Sequence, residues 1–201
     1  MATYTYPTSG SAYLLSSMSW RLQDFVLLST PTYGGKTRTY EIPGQQIIVT
    51  LGYGPQTHEE RREIRGWWAK AGQQRNRVSI YDYAAPLPRG TISGSPLVKT
   101  TVAAGASSIV GKSMGTGTFM RGDMIKLTDG LHVVTDDTSA PVSGEATINF
   151  APPTRVQVSA DSSIVYSMPT GTFMVTAAPD IVFQGSGPHP PFSVQLLEVG
   201  E

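Results

Sequence analysis

Apolar positions along this chain come in short alternating runs, cut every few residues by Gly, Pro, Ser and Thr. That is the pattern of many short strands joined by tight turns. Residues 20–28 and 45–53 form two such runs. In the second, Ile47, Val49 and Leu51 share one face, because successive side chains of a strand point to opposite sides. Residues 77–83 follow the same rule, with Val78 and Ile80 on one face and Tyr81 and Tyr83 on the other. Val156 and Val158 alternate again, as do Phe192, Val194 and Leu196. Further strands are predicted at 107–111, 123–128, 130–136 and 145–150, with Asp129-Gly130 as a hairpin turn. β-Branched residues dominate these runs and suit a pleated, half-buried surface. The fold class predicted is mainly β: a β-sandwich with one helix packed on it, plus an inserted small β-barrel.

One segment has a different period. Thr57-His58-Glu59-Glu60 is a capping box, in which Thr57 accepts from a backbone N–H and Glu60 reaches back to the cap. Ile64, Trp67, Trp68 and Ala71 then fall at i, i+3, i+4 and i+7, one apolar stripe of a helix. Gly72 is a natural terminator. A helix is therefore predicted over 58–71, with Arg61, Arg62, Arg65 and Lys70 off the stripe and two Trp facing a sheet. Gly66 inside it costs about 1 kcal/mol relative to Ala, a cost that close packing there would justify.

Prolines divide the chain. Pro86-Leu87-Pro88-Arg89-Gly90-Thr91 removes ladder donors and forces extended backbone, so the chain leaves its sheet there. Small residues follow, and Ala151-Pro152-Pro153-Thr154-Arg155 closes the stretch. Two organisations fit: an inserted barrel or one continuous sandwich. The insertion makes 1–90 and 156–201 a discontinuous β domain carrying helix 58–71, with 91–155 as the inserted barrel. Gly117-Thr118-Phe119-Met120 recurs as Gly171-Thr172-Phe173-Met174, read as two similar hairpin entries.

Composition narrows the function classes. The 201 residues contain no Cys, which removes disulfides, thiol nucleophiles and Cys-ligated metals. Fifteen Lys+Arg balance fifteen Asp+Glu, so there is no basic field to drive phosphate-backbone binding. Charged residues make up 15%, against about 25% in ordinary soluble domains. A surface so poor in charge tends to associate. Residues 1–7 lack the basic and apolar regions of a signal peptide, and the aliphatic runs are too short to span a membrane.

Reactive constellations are scarce. His58, His132 and His189 are isolated in sequence and read as surface or turn residues; no metal-ligand spacing links them. No nucleophile elbow surrounds a Ser. Asp136-Asp137 and Glu59-Glu60 are adjacent carboxylates, which on a strand point to opposite faces and cannot flank one bond. Gly115-Thr116-Gly117 lacks the Lys and helix of a phosphate cradle. Arg121-Gly122-Asp123 spells a tripeptide that some adhesion receptors bind, but such a match arises easily by chance, and the segment is read as a tight turn leading into the Met124-Ile125-Lys126-Leu127 strand. Trp67, Trp68, Tyr81, Tyr83 and Trp20 could form a sugar-stacking platform, but two Trp at helical spacing beside Ile64 are read as core. No catalytic, cofactor-binding or metal-ligating set emerges, and the expectation is a protein that is not an enzyme.

An ordered set of short elements carries a resemblance. These are Gly66-Trp67-Trp68, Tyr81-Asp82-Tyr83, Leu87-Pro88-Arg89-Gly90-Thr91, Gly122-Asp123-Met124-Ile125, Pro152-Pro153-Thr154-Arg155 and Pro169-Thr170-Gly171-Thr172-Phe173. Over roughly residues 45–175 the sequence resembles distal tail and other minor tail proteins of long-tailed bacteriophages. The resemblance implies a structural virion protein at the tail tip or baseplate, made in the host cytoplasm. It implies a ring, typically a homohexamer, that connects the tail tube protein to the tail hub protein and to receptor-binding components such as tail fibres. The neutral charge balance fits a lumen that must not grip passing DNA, and no sequence-specific nucleic acid binding is expected. The alternative is a carbohydrate-binding module that recognises the host, discriminated by whether Trp67 and Trp68 are open or buried.

Overall fold

The computed structural model describes residues 2–29, 38–72, 74–177 and 179–199. Residues 30–37 and 73 of the expected first domain lie outside them, as do 1, 178, 200 and 201 and the side chains of 25–29 and 38–44. The fold is mainly β, with two curled sheets and one helix.

Eleven strands are described: β1 (Thr3–Thr5), β2 (Leu15–Ser29), β3 (Arg38–Tyr53), β4 (Arg77–Ile80), β5 (Leu97–Val98), β6 (Ser108–Lys112), β7 (Met124–Leu127), β8 (Gly130–Val134), β9 (Ala146–Ala151), β10 (Gly171–Val175) and β11 (Phe192–Glu198). A short 3-10 turn, Ser11–Tyr13, precedes β2, and α1 spans His58–Ala71. The first sheet runs β1-β4-β10-β11-β3-β2, with β1 parallel to β4 and every other pair antiparallel. Its core contains Ile47, Val49 and Leu51 of β3, Val78 and Ile80 of β4, and Val194 and Leu196 of β11, as the period of two requires.

α1 lies over this core. Both halves of its capping box form, with Thr57 Oγ1 accepting from Glu60 N–H and Glu60 Oε2 accepting from Thr57 N–H. Gly72 N–H donates to Trp68 O at 2.7 Å and ends the helix. Ile64, Trp68 and Ala71 are buried as expected, but Trp67 is only half-buried. Arg61, expected off the stripe, is fully buried on it. It sits one turn before Ile64, so the covered face of the helix begins with a cation. Gly66 is exposed, and a Cβ there would meet nothing within 4 Å, so no close packing accounts for it.

The second sheet runs β5-β6-β9-β8-β7. β7 and β8 pair from Leu127↔Gly130 outward, so the tight turn is Thr128-Asp129, one residue earlier than expected. Bridges Leu97↔Ser163 and Lys126↔Val165 tie both outer strands to one strip of chain and close the sheet on itself. The strip 158–165 was expected with the first sheet. It runs with the second instead, where Val158 and Ile164 enter a core with Ile109, Phe119, Ile125 and Phe150. Two alternating valines specify extended backbone, not the sheet that receives it; the strip joined the strands that lacked ladder partners. The return to the first sheet therefore comes with β10, not at residue 156.

Candidate functional site

Of the short sequence elements, 87–91, 122–125, 152–155 and 169–173 lie far apart in the chain, and in the fold they meet at the crossings between the two sheets; 66–68 lies within α1 and 81–83 follows β4. At the outgoing crossing the Asp123 carboxylate, 3% exposed, accepts from three backbone amides: Arg89 at 2.7 Å, Gly90 at 3.2 Å and Met120 at 2.8 Å. A buried carboxylate is tolerable only when so satisfied, and charge-assisted bonds of this kind are the strong ones. Gly90 is needed because the backbone runs against 118–119; a Cβ there would fall 2.0 Å from Thr118 O. The acid of Arg121-Gly122-Asp123 is thus consumed inside the fold and is closed to a receptor.

At the β7–β8 turn, His132 is 1% exposed. Its Nδ1 donates to Pro152 O at 2.7 Å and its Nε2 donates to Asp129 Oδ1 at 3.0 Å. The other oxygen of Asp129 accepts from Arg155 N–H at 2.7 Å. Burial works against the Asp129 charge, but the bond and the charge of His132, with the backbone amides, outweigh it and hold this carboxyl below its ordinary value. His132 was expected at the surface; nothing in its neighbours announced that Pro152 and Asp129 would enclose it.

Arg155 closes the joint. Its Nη2 donates to Glu198 Oε2 of β11 at 2.5 Å, and Leu131 N–H of β8 donates to Glu198 Oε1 at 2.9 Å. Glu198 is fully buried, so one carboxylate of the first sheet holds two groups of the second. Gly171, which opens β10, lies where a Cβ would stand 2.5 Å from the Leu131 side chain. The incoming crossing is as tight as the outgoing one. The adjacent acids are also committed: Asp136 accepts from Thr135 and Asn149, and Asp137 from Arg121 N–H.

The aromatic residues gather beneath α1. Trp68 is 3% exposed, and its Nε1 donates to the Tyr53 hydroxyl, which also bonds the Tyr6 hydroxyl at 2.8 Å. Burial pushes both phenols up, and each hydroxyl stays protonated in neutral solution. Trp67 stands edge-on to Trp68, Tyr6 and Tyr13, a packed arrangement in place of an open shelf. Trp20 meets Phe173 edge-on and is separate from this cluster. An open groove of about 510 Å³ runs beside the helix, lined by Arg65, Trp68, Ala69, Gly72, Pro179 and Ile181 among others.

His58 and His189, 131 residues apart, meet with Nδ1 and Nε2 at 3.1 Å. Sequence spacing gave no hint of this pair or of the buried Arg61 beside it. No group of three or more His, Asp or Glu side chains converges as a metal would require, among the described residues. None of the described helices is long and apolar enough to cross a membrane.

The surface carries one more feature. β2 is fifteen residues long and pairs only with β3 among the described residues, so its outer edge is open along its length. β11 covers β3 only from Ile48 to Tyr53, while β2 and β3 remain paired out to Ser29↔Arg38. The two strands therefore continue as a ribbon past the end of the sheet. No protein-family model matches the chain, and no curated protein matches it.

Proposed function

We propose that this chain is a structural subunit of a bacteriophage tail tip. Copies of it join into a ring, in our reading a homohexamer, that links the tail tube to the hub and to receptor-binding components. The observation that carries the reading is the open edge of β2 and the ribbon that extends it. An uncovered strand of this length is a template for pairing with another chain, and a two-stranded ribbon alone in water is marginal at best. β1, three residues long, lies at the opposite edge of the same sheet. A contact between unlike edges is heterologous, and heterologous contacts close into a ring when the rotation between subunits closes and run on as a filament when it does not.

The joint supports a mechanical role. The buried acids Asp123, Asp129 and Glu198 and the buried His132 spend their hydrogen bonds on the fold: Glu198 ties β11 to Leu131 and Arg155, Asp123 ties the outgoing crossing to the start of β7, and Asp129 and His132 brace the β7–β8 turn against 152–155. The second sheet then stands as a rigid projection for contact with neighbouring tail components. The burial of Trp68 and the edge-on packing of Trp67 weigh against a carbohydrate shelf.

Native mass spectrometry and electron microscopy of the purified chain test this reading. The expected result is a closed ring. Lys at Ser17 and Ser19, both exposed on β2, should reduce it to monomers by placing charge on the edge. A chain that stays monomeric alone and together with tube and hub proteins would refute it.

A further inference from the structure

Residues 181–191 cross the N-terminal half of α1 before entering β11, and they hold it through polar and aromatic contacts. Gln56 and His189 exchange backbone bonds, His189 N–H donating to Gln56 O at 2.8 Å and Gln56 N–H to His189 O at 3.4 Å. Phe183 stands edge-on to the His58 and His189 rings, and the Arg65 guanidinium lies 4.6 Å from its centroid. Arg61 donates to Pro190 O and lies over Phe192. The remaining nitrogens of Arg61, Nε and Nη1, have no partner, and neither does the buried Oε1 of Gln56.

The hydrogen bonds fix which nitrogens carry protons. Gln184 N–H donates to His189 Nδ1 at 3.0 Å, so that nitrogen is bare and the neutral ring holds its proton on Nε2. Nε2–H then donates to His58 Nδ1. An added proton finds no acceptor here. On His189 Nδ1 it would face the Gln184 N–H, and on His58 Nδ1 it would face the Nε2–H. Either position adds a cation beside the Arg61 guanidinium. Among the described residues the charge acting on His189 besides His58 is Arg61, and Arg65 lies over the Phe183 ring beside the pair, both from α1; the crossing segment and β11 contribute Phe183, Gln184 and Phe192. No carboxylate bonds His58, His189 or Arg61 among the described residues. Burial, then Arg61, then His58 hold the proton affinity of His189 below the ordinary histidine value. The same polarity disfavours a shared metal, since a metal on Nε2 would leave Nδ1 protonated against the Gln184 N–H.

We propose that residues 181–191 are a proton-operated latch, docked on α1 while His58 and His189 are neutral and released when the pair takes up a proton in mildly acidic solution. The docked state binds fewer protons than the released one, so acid favours release. The ratio of released to docked chain rises by up to about tenfold per pH unit per proton once the pH falls below about 6.5. It levels off when His189 takes up its proton in the docked state. Release opens the Ile181 wall of the groove beside Trp68 and uncovers the Arg61 end of α1.

Hydrogen exchange on the full chain, corrected for the pH dependence of intrinsic exchange, tests the latch. Between about pH 7.5 and 5.5, amides of 181–191 should lose roughly tenfold in protection while those of β3 and β4 hold. The variant His58→Asn with His189→Gln keeps an acceptor facing a donor but cannot take up the proton, and its protection should stay flat. Nitrogen NMR of the wild-type histidines at about pH 8 should show His189 protonated on Nε2 alone. A proton on Nδ1, unchanged protection in the wild type, or the same loss in the double variant would overturn the proposal.

Discussion

At the scale of single residues, the fold separates positions that look alike in sequence. Trp67 and Trp68 are neighbours, yet Trp68 fills the core and bonds Tyr53 while Trp67 covers the aromatic cluster from its rim. Trp68→Ala should cost about 3–5 kcal/mol, the usual figure for truncating a large core aromatic, and Trp67→Ala clearly less; urea denaturation of both variants measures the order. Gly66 sits mid-helix in open space, so Gly66→Ala should stabilise the chain by roughly 0.5–1 kcal/mol through the lower chain entropy of Ala. Gly90 and Gly171 are the opposite case. A methyl at either runs into Thr118 O or Leu131, and substitution there should disrupt the crossing between sheets. Nothing in the four-residue neighbourhoods of these glycines distinguishes them; the distinction lies in what approaches from elsewhere in the chain.

At the scale of elements, Glu198 of β11 links the first sheet to two groups of the second. Glu198→Ala leaves Arg155 without its carboxylate and Leu131 N–H without an acceptor, and should cost about 3–5 kcal/mol, as loss of one partner of a buried pair does. The joint should also weaken in acid. The carboxyl of Asp129 is held below its ordinary value, so the folded chain binds fewer protons there than the unfolded one. Its contribution is complete above the ordinary carboxylate range and is lost as pH falls through the folded value. Acid unfolding followed by circular dichroism should show this limb in the wild type and a shallower one in Asp129→Asn. The helix gives a parallel lesson. Its cap, its length and three of its buried positions follow from Thr57, Glu60 and the spacing of Ile64, Trp68 and Ala71. The burial of Arg61 does not, because it depends on Pro190 and Phe192 arriving above it.

At the scale of the whole molecule, low charge and an open sheet edge point the same way. Charged residues are 15% of the chain, and β2, fifteen residues long, has an outer edge with no strand partner among the described residues. Assembly through that edge should bury the groups that now face water there. The proposed ring, assembled and mixed with duplex DNA at low salt, should show no binding in a gel-shift assay, because a chain of zero formal charge lacks the counterion release that drives such binding. Retention of DNA would mean that the few cations are gathered in the lumen.

The sequence by itself determined the mainly β class, the position and capping of the one helix, most strand faces, and the prolines at which the chain leaves the first sheet. These follow from local rules, the period of two, the period of 3.6 and the missing N–H of proline, which act over a few residues and need no partner. Only the tertiary structure decided which sheet receives the strip 158–165, that Asp123, Asp129, His132, Arg155 and Glu198 form one joint, and that His58 meets His189. Those outcomes depend on unpaired ladder groups and buried charges finding partners tens of residues away, and a satisfied hydrogen bond leaves no trace in the spacing of the residues that make it.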